Sequence, residues 1–307
     1  MNPNREYRQG PALAGPVRQA ALFYLFWGVV SFGVFLSGRL LTAGPVAELI
    51  FISAGLFGTA LATRAYTVFI EPEILGNTRC RLAWLLGLAC IFSIICIVVK
   101  VTETRSNILM ALATATLILF ASVLGHWLAR PLKRPAELVP VCLVVSLSDI
   151  FSVFSGPTKQ FAGTIYQYYT QGMEGTAPLV DFFLVKFPLP GHDLFMPVFG
   201  ITDWIVIVLL SAGAARFELN DNILPTAGRR LGRYLFFPAA GLGLALAVAA
   251  ARTLNRFLPA LPFVAIVFLA VMAVKYPEVR RLTRSEIRPT ALVLLLMAGL
   301  AAVLKMI

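Results

Sequence analysis

The sequence predicts an all-α fold, a polytopic transmembrane helix bundle of about nine helices. Three observations carry that prediction. The 307 residues are 59% hydrophobic and only 13% charged, whereas a soluble domain holds roughly 25% charged residues. Mean hydropathy is +0.83. Apolar runs of about 20 residues, the length that spans a bilayer as helix, recur along the chain between short charged loops. Irregular backbone and open sheet edges cannot face lipid, so helices are the spanning element.

Residues 1–17 are polar and hold three prolines. They read as a cytoplasmic tail rather than a signal peptide, because the apolar run that follows is too long for a signal's core. Four helices are then expected at 18–37, 44–63, 82–101 and 107–128, forming an N-terminal part over 18–136. A second part, 137–275, holds helices at 137–155, 194–215, 233–251 and 258–275. A loop and a last transmembrane helix, 287–306, complete the chain over 276–307. The single long loop, 156–193, opens with Gly156-Pro157, a helix stop. Its aromatic stretch from Thr158 to Thr170 suits a short helix at the membrane interface, and Asp181 to Phe187 is strand-like, closed by Pro188 and Pro190.

The net charge of +11 does not mark a nucleic-acid binder. Its Lys and Arg are spread through short loops, most of them on one side of the bundle, which places the N-terminus in the cytoplasm and the C-terminus outside. Compactness and the lack of targeting signals point to a prokaryotic cell membrane. Four cysteines (Cys80, Cys90, Cys96, Cys142) lack metal-ligand spacing, and His126 and His192 lie far apart, so no metal or cofactor is expected. Glu71 and Glu73 flank Pro72 at an interface and read as solvated; Lys100 and Arg252 read as snorkelling. Ala239, Gly241, Gly243 and Ala245 form a small-residue face for close helix packing.

Among fifteen acidic residues, two fall inside apolar stretches: Asp149 and Asp203. An ionised carboxylate in hydrocarbon is costly, so an intramembrane acid is a functional hypothesis by default. Two of them in neighbouring helices suggest a pair.

The surroundings of these acids carry a resemblance. Ser148-Asp149 is followed by Gly156-Pro157, Asp203 ends Gly200-Ile201-Thr202-Asp203, and Leu258-Pro259-Ala260-Leu261-Pro262 opens the eighth expected helix. In order and rough spacing these segments resemble the Tyr-Asp, GxGD and PAL motifs of the presenilin and signal peptide peptidase family of intramembrane aspartyl proteases. The resemblance covers about residues 137–275. It departs at two positions, Ser148 where the family has Tyr and Thr202 where it has Gly. A β-branched Thr would hinder the close helix approach that this glycine allows.

The resemblance implies a presenilin-like catalytic core and an aspartic endopeptidase, with Asp149 and Asp203 as the catalytic pair. Gly200, Ile201, Thr202, Pro259, Ala260 and Leu261 would shape the substrate site. Its partners would be transmembrane-helix substrates, leftover signal peptides included, within the lipid bilayer. The unwound substrate would join as an added strand beside Phe182 to Phe187. Two other functions use the same residues: an inactive relative that binds transmembrane helices, and an ion- or proton-coupled transporter relaying charge through the carboxylates. No oligomeric state is specified.

Overall fold

The computed structural model describes residues 14–40, 44–71, 78–102, 106–173, 177–224, 235–254, 256–280 and 291. Nine α-helices fall among them, so the all-α expectation holds apart from one small hairpin. The helices are α1 (Ala14–Leu40), α2 (Pro45–Ala65), α3 (Thr78–Thr102), α4 (Asn107–Leu128) and α5 (Leu138–Ser155), then α6 (Pro157–Thr170), α7 (Ile201–Arg216), α8 (Ala239–Leu254) and α9 (Leu261–Lys275). The expected helix at 287–306 and most of the 1–17 tail lie outside the described residues.

Five helical spans are long and apolar enough to cross a membrane: 18–38, 45–70, 78–102, 107–128 and 135–154. Leu22, Leu25, Val29 and Phe32 on α1 stand open to the surroundings, as do Leu86, Ile94, Ile97 and Val101 on α3. A soluble monomer does not present apolar faces of that extent, whereas lipid covers them at no penalty.

Helix α4 is the central post. Of its most apolar window 61% is buried, against 17% for α3 and 11% for the span containing α5. It packs along α7, and the contact is tight because Gly125 has no side chain: a Cβ there would meet the Val208 Cβ at 2.6 Å. Close approach of this kind lets helices associate in lipid, where burial alone gives no drive. The small-residue face of α8 acts likewise, since a Cβ on Gly243 would lie 2.5 Å from the Val264 Cα of α9. Helix α9 in turn lies against α5.

Helix α2 continues as a π-helical turn, Tyr66–Ile70, which carries Glu71 inward. This overturns the solvated reading of Glu71. The residue is 4% exposed, pairs with the buried Arg81 and accepts the Tyr66 hydroxyl at 2.5 Å. Arg252, read as snorkelling, pairs with Glu48 at 3.4 Å.

The largest departure from the sequence reading is at 194–215. Helix α7 begins only at Ile201, because Met196–Gly200 is strand β2, paired antiparallel with β1 (Leu184–Phe187). Pro197 disfavours helix at Met196 and removes a donor, and Phe199 is buried between Phe187 and Trp204. The aromatic stretch of the long loop does form a helix, α6, and 181–187 splits into a 3₁₀ turn (Leu179–Phe183) and β1. At the hairpin's end of the bundle, Asn107 donates to the Asp193 carbonyl at 2.9 Å and His192 lies 3.9 Å from Glu48. Asn220, Lys275 and Tyr276 gather at the opposite end.

Candidate functional site

The site forms where three chain segments begin or end at the hairpin's end of the bundle. Asp149 lies in the second half of α5. Asp203 is the third residue of α7, and Leu261 is the first of α9. The Leu261 N–H donates to Asp149 Oδ2 at 2.9 Å, and the Ala260 N–H is also directed at this carboxyl. A helix leaves its first N–H groups without internal partners, and here an acid from a neighbouring helix meets one of them. Pro262, in the first turn, has no N–H to satisfy. Ser146, one turn before Asp149, donates its hydroxyl to the Cys142 carbonyl at 2.7 Å, with the Leu261 carbonyl 3.5 Å away. The Leu261 N–H is thus met by a side chain of α5.

Asp203 has a parallel role on its own helix. Its Oδ2 accepts the Gly200 N–H at 3.1 Å, the third-position half of a capping box. It therefore lies in a first turn and not in mid-helix, as the sequence reading had it. Helix N-termini carry partial positive charge, so each carboxylate sits where a helix dipole favours it and offsets part of the cost of burial. The helices that carry the two acids, α5 and α7, also touch each other, and both touch α9.

The other expected site residues divide. Pro259, Ile201 and Leu261 are buried, while Gly200 and Ala260 are half-buried. Thr202 and Ser148, the two departures from the family pattern, are exposed. Thr202 therefore does not stand between packed helices, and the expected hindrance is absent at this position. A Cβ on Gly200 would meet only Asp203 Oδ2 and Thr202 Oγ1, each at 3.5 Å, an ordinary contact.

The two edges of the hairpin are not equivalent. The Thr114 hydroxyl of α4 lies 3.4 Å from both the N–H and the C=O of Lys186, so β1 is already occupied on that side. Among the described residues β2 pairs with β1 alone. Strand β2, Met196–Gly200, forms the other edge of this two-stranded sheet.

Two supporting contacts escaped sequence reasoning. Trp204, fully buried next to Asp203, donates its indole N–H to Thr63 Oγ1 of α2 at 3.0 Å and so fixes the rotation of α7. Behind β1, Asp181 accepts from Lys186 Nζ at 2.5 Å and from the Tyr169 hydroxyl at 2.8 Å, tying α6 to the hairpin. Only the Asp181/Lys186 spacing around an apolar core hinted at this. No family model matches the chain, and neither a curated protein nor a solved structure matches it.

Proposed function

We propose that the protein is an intramembrane aspartyl endopeptidase with a presenilin-like core, cleaving transmembrane segments of other membrane proteins. The observation that carries the proposal is that Asp149 and Asp203 lie on touching helices at one end of the bundle, with Asp149 bonded to the Leu261 backbone. Two neighbouring carboxyls cannot both ionise cheaply, so they share a proton. The ionised one takes a proton from a water that attacks the scissile carbonyl, and the protonated one donates to the carbonyl oxygen. The pair titrates as a unit. Strand β2 runs directly into α7, so a substrate strand added to its edge would bring a peptide bond beside Asp203. By this reading the chain is a multi-pass protein of a cell membrane with its N-terminus in the cytoplasm.

The test is purified protein incubated with a transmembrane peptide. Asp149→Ala and Asp203→Ala should each abolish cleavage, a loss of several orders of magnitude. Cleavage that persists in either variant rejects the pair. A second reading is favoured by the hydrogen bonds themselves, since both carboxyls cap helices and need no chemistry to explain their place. A non-catalytic protein that binds transmembrane helices would retain peptide binding without cleaving any of several peptides.

A further inference from the structure

A second polar site lies at the end of the bundle away from Asp149 and Asp203. It is a cavity of about 360 Å³ lined by Thr63, Arg64 and Thr67 of the α2 segment, His126 of α4, Ser211 of α7, the 218–222 turn with its second acid, Glu218, and Phe236. That volume lies within the range of small-molecule sites.

Its charges are arranged in an unusual way. Asp221 is 3% exposed; one of its carboxyl oxygens accepts from the Ser211 hydroxyl and the other, Oδ2, has no hydrogen-bond partner among the described residues. Arg64 holds its guanidinium over the Phe236 ring, 5.2 Å from the centroid, and its buried Nε likewise has none. The two side chains feel each other's charge, yet they form no ion pair. Buried polar atoms are ordinarily paired, and a buried unpaired charge is more costly still. An acidic and a basic residue that line one cavity without pairing with each other are complementary to a ligand that carries both charges.

The wall is built, not slack. Asn222 Oδ1 accepts from the Leu224 and Phe237 N–H groups at 3.1 and 3.0 Å, and its Nδ2 donates to the Leu235 carbonyl at 3.1 Å. Lys275 donates to the Asn222 carbonyl at 3.1 Å, and the Asn220 N–H donates to the Tyr276 hydroxyl at 2.8 Å. Asp221 is therefore held at its place by both neighbours. Preorganisation of this kind lowers the cost of binding.

We propose that this cavity binds a small zwitterion, a primary ammonium seated on Asp221 and a carboxylate or phosphate seated on Arg64. Two sources share that chemistry: a free amino acid or aminophosphate, and the headgroup of an aminophospholipid reaching in from the membrane surface. Thr63, which accepts from Trp204, is part of the cavity wall. The site stands whether or not the protein is a protease.

The experiment uses the full chain in detergent, titrated by calorimetry with phosphoethanolamine and glycine, and with ethanolamine and inorganic phosphate as half-ligands. A zwitterion should bind saturably and each half-ligand about tenfold or more weaker. Asp221→Asn and Arg64→Gln should each weaken binding about tenfold or more while unfolding stays cooperative, with Arg64→Lys restoring part of it. In nanodiscs, native mass spectrometry compares phosphatidylethanolamine with phosphatidylcholine, whose quaternary nitrogen has no hydrogen to donate. Selective retention of the former, lost in Asp221→Asn, assigns the source to lipid; binding of the free compounds alone assigns it to solution. Failure of every zwitterion to bind the unaltered protein, or unchanged affinity in both charge-removing variants, overturns the proposal.

Discussion

At Asp221 burial works against ionisation. The carboxyl lies in a loop beyond α7, and burial pushes it up to about 6. An acid raised in the folded state stabilises the fold fully below its unfolded value, about 4, and loses that contribution as pH rises through its folded value. Unliganded protein should therefore lose stability between about pH 4 and pH 6, by roughly 3 kcal/mol from this group. Asp221→Asn should flatten that segment of the profile in thermal unfolding between pH 4 and 8, and a profile unchanged by the substitution would show that the carboxyl is not the cause. Asp221 and Glu71 were both illegible in the sequence for one reason. Each follows the end of an apolar stretch, where acids are usually solvated, and nothing local says that Arg81 or Ser211 folds back over them. Asp149 and Asp203 were legible because hydrocarbon makes an acid conspicuous by its cost.

At the scale of elements, glycines decide how closely helices lie, and they are not equivalent. Gly243 faces backbone atoms of α9, which cannot rotate away, so Gly243→Ala should destabilise by about 1–3 kcal/mol through overpacking. Gly200 has ordinary space around it, and Gly200→Ala should move stability little. Thermal unfolding of both variants in one detergent separates the two; equal effects would mean that the α8–α9 contact is looser than described. The helices themselves were readable from apolar length, and the small-residue face of α8 was readable from its spacing. Strand β2 was not. Its residues are as apolar as the helix they precede, and hydrophobic length does not distinguish a short buried strand from a helix start. The partner that makes it a strand, β1, lies nine residues upstream across a loop.

For the molecule as a whole, the pairs Glu48–Arg252 and Asn107–Asp193 fix one end, and Asn220–Tyr276 with Lys275 the other. In a variant freed of its four native cysteines, single cysteines at 193 and 218 should react with a membrane-impermeant maleimide from opposite faces of sealed vesicles. Labelling of both from the same face would reject the spanning arrangement. The hairpin at the first of these ends has a further consequence. With Thr114 seated on Lys186, its two-stranded sheet can grow in one direction only. Open edges on both sides invite copies of a chain to zip together. A sheet closed on one side cannot propagate from copy to copy into a fibre.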